Sequence, residues 1–468
     1  MGRMICVRFL LVGLLCCLPD FFVGHVSAEE VFRFRVYLKD KGISAFSLDE
    51  PSFFLSQKAI DRRLKQNIAI TEADLPISQL YLDSFLTIGA KPVVQSRWLS
   101  TVVVESNDSL IVDNLNQLSI VDSVKWVWKG KISGGVNEVH EKDTSFFVAR
   151  DKLLEEPYGY AYNQIKMLNG IKLHNNGFRG KGMTVAVIDA GFQHVDRIRA
   201  FDKLNLLGTR NFVVPGESIF EGDDHGTKVL SCLAANAEGL MIGTAPEASY
   251  WLIKSEDGRS EFPVEEDYWA AAVEFADSVG VDVISSSLGY FSYDVEGMDY
   301  PQDALDGNTA LISRVACLAS EKGLLLFCSA GNEGNGRWEK ITFPSDAPGI
   351  LTVGSVTPDK KRSVFSSVGF TSDYRVKPDM VALGTGSCVI DPSGNIRYAN
   401  GTSFATPILA GLGVCLWQAL PWLSNAEIIE LLRESSSQYK RPDAELGYGI
   451  PDVYKAYKKE NAHVSLSR

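Results

Sequence analysis

The chain has 468 residues, of which 45% are hydrophobic and 22% are charged, a balance typical of a globular protein and not of a disordered one. Its 46 basic and 58 acidic side chains give a formal net charge of −12 at pH 7. Nucleic-acid binding depends on lysine and arginine neutralising phosphates, and no long basic run is present. The charge therefore argues against a general nucleic-acid-binding protein.

The first 28 residues have the three parts of a secretory signal peptide. Arg3 and Arg8 precede the apolar stretch FLLVGLLCCL, and the segment ends in the small-residue pattern Val26-Ser27-Ala28. The apolar stretch is too short to span a bilayer, which disfavours the alternative of an N-terminal membrane anchor. We predict cleavage after Ala28 and a soluble, extracytoplasmic protein, secreted or periplasmic, because no other apolar run approaches membrane length.

Cleavage there would leave five cysteines in the mature chain: Cys232, Cys317, Cys328, Cys388 and Cys415. An odd number leaves at least one thiol unpaired. Most of them lie among small or apolar residues, as in VLSCLAA and LLLFCSAG, where cysteine behaves as a small hydrophobe. We predict mainly buried free thiols, with one disulfide as an alternative left open.

Residues 29–131 alternate strand and helix patterns. VFRFRVYL alternates like a strand, and PSFFLSQKAIDRRLKQ has apolar residues at helical spacing. A further helix and two strands follow in SQLYLDSFLTIGA, WLSTVVVES and VDSVKWVW, which predicts a small α+β domain. The next segment, residues 132–155, mixes glycine, serine and charge without periodicity and is predicted to be a linker.

Residues 156–460 alternate buried strands with helices. MTVAVID, SYWLIKS, VDVISSSLG and GLLLFCSAGN are nearly continuous hydrophobic runs, as expected of parallel strands covered on both faces. The helical segments between them predict right-handed crossovers and a doubly wound, mostly parallel α/β sheet. One helix begins with Glu265-Glu266-Asp267, which we interpret as a solvated helix face. In such sheets the functional residues gather beyond the carboxyl ends of the strands.

Three polar residues stand at those ends or at a helix start. Asp189 closes the strand VAVID, His225 starts a helix in EGDDHGTKVLSCLAA, and Asn332 lies in a Gly-rich turn after GLLLFCSAG. Asp223 or Asp224 is placed to cap the helix of His225. Each residue alone also fits an ordinary role, as a turn aspartate, a packing histidine or a turn asparagine.

The segment NGTSFATPILAG places Ser403 at the start of a predicted buried helix, with Pro407 four residues later. The ordinary interpretation is a serine N-cap, followed by a proline that a first turn tolerates. The alternative is catalytic. A serine hydroxyl becomes a good nucleophile when an imidazole takes its proton, the imidazole needs an acid to orient it, and the oxyanion needs donors. The order Asp189, His225, Asn332, Ser403 on one sheet favours this second interpretation.

At these residues the chain resembles the subtilisin-like serine peptidases. The matching motifs are VAVIDAGF, DDHGTKV, SSSLG, SAGNEG and NGTSFATP, in the Asp…His…Ser order of that family. The resemblance implies that Ser403 is the nucleophile and that His225 is its general base and acid. Asp189 would then orient His225, and Asn332 would donate to the oxyanion.

The resemblance also implies a substrate site and a pro-domain. Ser287, Leu288 and Gly289 would pair with the substrate backbone and line the S1 pocket, and polypeptides would be the substrates. Residues 29–131 resemble, in position and pattern, the pro-domain that assists folding, inhibits the enzyme and is cut off. The chemistry needs no cofactor, a structural calcium ion is compatible with the family although the sequence assigns it no ligands, and we expect a monomer.

One departure from the family pattern is Ala190, where threonine or serine usually follows the aspartate. The missing hydroxyl could have bonded the carboxylate, a loss of roughly 1 kcal/mol. No catalytic group is removed by this change.

We predict a secreted serine endopeptidase made as a zymogen, with a signal peptide (1–28), a pro-domain (29–131), a linker (132–155) and a catalytic domain (156–460). The alternative is a catalytically silent member of the same family that acts as a binding or scaffold protein. A lipase or esterase is disfavoured because G-x-S-x-G is absent around Ser403.

Overall fold

The computed structural model describes residues 30–131, 146, 147 and 149–466. The predicted signal peptide with its Ala28 cleavage site, and residues 132–145 of the predicted linker, lie outside the described residues. Two large sheets organise the described chain, one of four strands and one of seven.

The four-stranded sheet belongs to the N-terminal domain. Its elements are β1 (Glu30–Leu38), α1 (Gln57–Lys65), α2 (Gln79–Thr87), β2 (Lys91–Ser96), β3 (Thr101–Ser106), α3 (Ile111–Gln117) and β4 (Val121–Lys131). The strand order is β2-β3-β1-β4, with antiparallel neighbours throughout. Phe34, Phe85 and Leu115 belong to a core between one face of the sheet and the helices α2 and α3. The small α+β fold predicted for this part of the chain is confirmed.

The second block begins with α4 (Tyr162–Lys166), α5 (Gly170–Asn175), β5 (Thr184–Asp189), β6 (Asn205–Asn211), α6 (His225–Ala234), β7 (Asn236–Ala237), β8 (Met241–Ile242), β9 (Ser249–Lys254), α7 (Val264–Ser278) and β10 (Val283–Ser286). It continues with α8 (Leu311–Glu321), β11 (Leu325–Ser329), β12 (Leu351–Val356), β13 (Met380–Leu383), β14 (Ser387–Ile390), β15 (Ile396–Ala399), α9 (Thr402–Ala419), α10 (Asn425–Ser435) and α11 (Val453–Leu466). Seven strands form a parallel sheet in the order β13-β12-β11-β10-β5-β9-β6.

Both faces of this sheet are buried, as the continuous hydrophobic strands predict. Along β5, Val185 and Val187 join a core that includes α6 and α9, whereas Ala186 and Ile188 join the core formed with α7 and α8. Side chains alternate between the faces of a strand, so both sides need apolar residues. The doubly wound α/β prediction is confirmed.

The acidic residues at the start of α7 are buried, so their interpretation as a solvated helix face is wrong. The N-terminal sheet packs its other face on α7, where Arg35 of β1 donates hydrogen bonds of 2.7 and 2.6 Å to Asp267. Glu266 accepts hydrogen bonds from the hydroxyls of Tyr293 and Tyr300. The pattern of α7 alone could not reveal this, because Arg35 lies 232 residues earlier in the chain.

The helix α9 crosses the interior of the second block. By length and composition it is the one helix among the described residues that could cross a membrane, and 94% of that stretch is buried inside the fold. Its length corrects the expectation that no apolar run after the signal approaches membrane length. Its burial identifies it as a core helix between α6 and the sheet.

All five described cysteines are free thiols. Four of them are buried and Cys317 is half-buried, as the small and apolar surroundings predict. The alternative of one disulfide is wrong.

Candidate active site

The carboxyl edge of the parallel sheet brings the predicted site residues together. β5 ends at Asp189, β10 is followed directly by Ser287, and β11 is followed by the turn that holds Asn332. Because β5, β10 and β11 are parallel neighbours, their ends meet at one edge. This is where a doubly wound sheet places its ligand site.

Asp189 and His225 form a hydrogen-bonded pair at that edge. Oδ1 of the fully buried Asp189 lies 2.7 Å from Nδ1 of His225, whose side chain is 31% exposed. The helix α6 begins at His225, and the backbone N–H of His225 donates to Oδ1 of Asp223. The start of α6 lies so close to the backbone of Gly191 that position 226 must be glycine. A Cβ at Gly226 would lie 2.3 Å from the carbonyl oxygen of Gly191.

The carboxylate of Asp189 controls the basicity of His225. Burial alone would lower the pKa of His225, but attraction to Asp189 and their hydrogen bond outweigh it and raise that pKa to about 9. Ala190 donates its backbone N–H to Oδ1 of Asp189 at 2.8 Å. Oδ2 is buried, and no described group donates to it. The structure therefore leaves an acceptor unpaired at the place where Ala190 lacks a hydroxyl.

Ser403 is the second residue of α9, so its interpretation as an N-cap is wrong. The N-cap position belongs to Gly401, and Pro407 lies in the second turn instead of the first. Proline has no N–H to donate to the carbonyl four residues earlier, which here is that of Ser403. The hydroxyl of Ser287 donates to that carbonyl at 2.8 Å instead.

One cavity of about 210 Å³ collects the predicted residues, while Asp189 lies behind His225 and does not line it. It is lined by His225, Asn332, Ser403 and the three predicted substrate-binding residues Ser287, Leu288 and Gly289. The hydroxyl of Ser403 donates to the carbonyl of Ser287 at 3.4 Å, and no hydrogen bond joins it to His225 in the described part of the chain. In enzymes, the hydrogen bond between a nucleophile and its base is often long or misaligned before a substrate is bound.

Asn332 is fixed by the start of α9. Its Oδ1 accepts hydrogen bonds from the backbone N–H and the hydroxyl of Thr402, at 2.9 and 3.0 Å. No described residue accepts from its Nδ2 atom, so both N–H groups of that amide are available to another acceptor. The backbone N–H of Ser403, in the first turn of α9, is a further donor without a helical partner.

Sequence reasoning missed six of the residues that line the cavity: Glu256, Phe291, Ser329, Gly331, Glu333 and Thr342. The sequence could have indicated Glu256, because it follows the strand β9 and therefore stands at the same sheet edge as Asp189. No feature of the sequence indicated Thr342, since it reaches the cavity from a loop distant in sequence. Its Oγ1 would lie 2.1 Å from a Cβ at Gly289, so this wall requires glycine.

Comparison with known proteins assigns the chain to a family. Residues 180–449, more than half of the chain, match the model of the subtilase family. The chain belongs to the subtilase family. Residues 33–143 match a second model, described as the peptidase S8 propeptide domain of Bacteroidota. The protein is accordingly a subtilisin-like serine protease, a hydrolase, made with a propeptide domain.

Individual subtilases are similar over most of the chain. Subtilisin NAT from Bacillus subtilis subsp. natto is 31% identical over 335 residues, which cover 69% of this chain and 77% of the relative. Subtilisin E from Bacillus subtilis (strain 168) is 30% identical over the same shares. The solved structure of MycP3 protease from the type VII (ESX-3) secretion system covers 67% of this chain and 94% of its own, with a TM-score of 0.52 and 21% identity. That likeness confirms the subtilisin-like fold.

No group of three or more histidine, cysteine, aspartate or glutamate residues within the described ranges could hold a metal ion. The structural calcium ion that the resemblance suggests remains a prediction without ligands.

Proposed function

We propose that this subtilase is a secreted serine endopeptidase that cleaves peptide bonds through an acyl-enzyme on Ser403. The observation that carries the proposal is the 2.7 Å contact between the buried Asp189 carboxylate and Nδ1 of His225, beside the cavity that holds Ser403. A neutral His225 takes the proton of the Ser403 hydroxyl as it attacks the substrate carbonyl, and later delivers it to the leaving amine. Asp189 stabilises the imidazolium formed between these steps.

The oxyanion of the tetrahedral intermediate receives hydrogen bonds from Nδ2 of Asn332 and from the backbone N–H of Ser403. Both donors are fixed before substrate arrives, because Asn332 is anchored through Oδ1 to Thr402 and Ser403 lies in a helix. Preorganised donors of this kind lower the barrier without reorganisation during the reaction. Ser287, Leu288 and Gly289 hold the substrate segment along the cavity wall.

The N-terminal domain acts as an intramolecular inhibitor until it is cut off, and the mature enzyme works as a monomer outside the cytoplasm. Buried charged contacts support a tightly held domain before cleavage. Arg63 of α1 donates to Asp277 of α7 at 2.7 Å, and Lys322 donates to Asp74 at 2.7 Å. None of the described residues 30–131 lines the active-site cavity.

The test is fluorophosphonate labelling of the full-length chain and of a Ser403→Ala variant, with labelling site and chain ends read by mass spectrometry. We expect a label on Ser403 of the unsubstituted chain only, a mature N-terminus between residues 132 and 160, and a signal peptide cut after Ala28. If the chain stays long and unlabelled, the N-terminal domain is removed with a second protease and the labelling is repeated. No label after that treatment would refute the nucleophile and favour a silent binding protein.

A further inference from the structure

The active-site cavity carries carboxylates on its wall that the reaction does not need. Glu256 and Glu333 line it together with His225 and Ser403, and the described lining includes no lysine or arginine. The side chains of Glu256 and Glu333 form no hydrogen bond or ion pair within the described part of the chain. Two unpaired acids at a cavity wall favour a positively charged occupant.

The position of Glu256 follows from the sheet. β9 pairs with β5 so that Lys254 lies opposite Asp189, and Glu256 comes two residues later at the same edge. Its charge acts on His225 and is among the interactions that raise the pKa of that histidine. Glu256 is therefore close to the reacting groups and faces the space in which substrate side chains must lie.

A second observation concerns the acids behind Glu256. Burial raises the pKa of Glu256 to about 8, of Glu261 to about 7 and of Glu265 to about 10, and repulsion among neighbouring acids adds to each rise. Oε1 of Glu265, a residue with 1% exposure, has no described hydrogen-bond partner, nor does the buried hydroxyl of Tyr290. A positive charge brought to this region would stabilise the ionised form of these acids and lower their pKa values.

No lysine or arginine among the described residues lines the cavity. Of the basic residues next to Glu256 in sequence, Arg259 is engaged by Asp257 through contacts of 2.6 and 2.7 Å, and Lys254 also acts on the pKa of Asp257. The described residues also contain no group of acids able to hold a metal ion. A polypeptide substrate can bring a cation in the form of a lysine or arginine side chain.

We infer that Glu256 binds the cationic side chain of a lysine or arginine in the substrate and selects basic sequences for cleavage. The inference rests on the proposed function. Because Glu256 and Ser403 line one cavity of about 210 Å³ and an extended peptide advances about 3.3 Å per residue, the basic residue lies within three positions of the scissile bond.

The test compares arginine with citrulline, which has nearly the same shape and no charge. An internally quenched peptide is first cut by the processed enzyme, and mass spectrometry locates the bond. Arginine or citrulline is then placed in turn at each of the three positions on either side. We expect kcat/KM to favour arginine by about tenfold or more at one position, the size of a hydrogen bond between charged groups.

Glu256→Gln should reduce that arginine-to-citrulline ratio to about twofold, since the amide keeps the shape and loses the charge. Glu321→Gln, at the exposed end of α8, removes an equal charge away from the cavity and should leave the ratio unchanged. Glu333→Gln tests whether the other cavity acid, and not Glu256, causes the preference for arginine. A ratio that persists in Glu256→Gln, or that disappears only in Glu333→Gln, overturns the inference.

Failure of the inference and failure of the proposed function give different results. An enzyme that is labelled on Ser403 and cuts the peptide without preferring arginine at any position refutes the charge selection alone. If Glu256→Gln lowers kcat/KM equally for both peptides and shifts the pH profile, Glu256 acts through His225 and does not bind substrate. An unlabelled, inactive processed chain refutes both proposals.

Discussion

Ser287 supplies the hydrogen bond that Pro407 removes from α9. Pro407 cannot donate to the carbonyl of Ser403, and the hydroxyl of Ser287 donates to it at 2.8 Å. The strand β10, through the residue that follows it, thus holds the turn of α9 that carries the proposed nucleophile. Ser287, predicted as a substrate-binding residue, also has this positioning contact.

We predict that Ser287→Ala lowers both stability and turnover. The substitution leaves the buried carbonyl of Ser403 without a donor, at a cost of about 1–3 kcal/mol in the free energy of unfolding. Denaturant unfolding in a Ser403→Ala background, which prevents self-cleavage, measures that cost. In the active chain kcat should fall more than KM changes, because the position of the nucleophile is loosened.

Ser285→Ala, two residues earlier and within β10, is the matched control. Ser285 is fully buried and its hydroxyl has no described partner, so its removal should leave the denaturation midpoint unchanged or raise it. Equal destabilisation by both substitutions would show that any substitution in this segment lowers stability, and that the loss in Ser287→Ala does not come from its hydrogen bond to Ser403.

The ion pair between Arg35 and Asp267 should stabilise the attachment of the N-terminal domain. Both side chains are nearly fully buried, at 1% and 4% exposure. Removing one member leaves a buried charge uncompensated, which typically costs about 3–5 kcal/mol. We expect Arg35→Met to lower the unfolding midpoint of the full-length Ser403→Ala chain and to expose its N-terminal domain to limited proteolysis.

The control for this prediction is Arg199→Met. Arg199 pairs with Asp202 on the surface, where the side chains are 51% and 45% exposed. Exposed pairs are worth about 0–1 kcal/mol, so the midpoint and the proteolysis rate should hardly change. Identical behaviour of the two variants would contradict a stabilising role for the buried pair.

The pH dependence of the reaction should follow His225. A general base works when it is neutral, and Asp189 raises the pKa of His225 to about 9, so the rate should rise with pH up to about 9. Asp189→Asn removes the negative charge and leaves burial, which lowers the pKa. The rising part of the pH–rate profile should then move to lower pH, while kcat falls by about 10⁴-fold.

Fluorophosphonate labelling of Ser403 in the processed enzyme measures this profile even where turnover is slow. Circular dichroism checks that Asp189→Asn is folded. If the rising part of the profile stays at the same pH in the variant, a group other than His225 controls the rate.

The local sequence pattern predicted the sheet and which polar residues stand at its carboxyl edge. Parallel strands covered on both faces must be continuously apolar, so the polar residues begin where each strand ends. β5 and β10 carry Asp189 and Ser287 to this edge for that reason. The acids of α7 were misread because the surface that buries them, including Arg35, belongs to a domain far away in sequence. Contacts between distant segments leave no periodicity in either of them.

The unpaired Oδ2 atom of Asp189 leads to the last prediction. A hydroxyl at position 190 could donate to this buried carboxylate oxygen, and hydrogen bonds to charged groups contribute about 1.5–3 kcal/mol. Ala190 is buried, so any larger residue also introduces crowding. The comparison of Ala190→Thr with Ala190→Val cancels that crowding, because the two side chains have nearly the same shape and differ in the hydroxyl.

We expect the threonine variant to be more stable than the valine variant by about 1.5 kcal/mol in denaturant unfolding, and to have the higher kcat, since a fixed carboxylate holds His225 in its productive orientation. Ala190→Ser, which also adds a hydroxyl, should likewise be more stable than the valine variant and have the higher kcat. If valine and threonine variants unfold at the same denaturant concentration, Oδ2 already has a partner in solution, and an ordered water is the donor that fits a buried polar site.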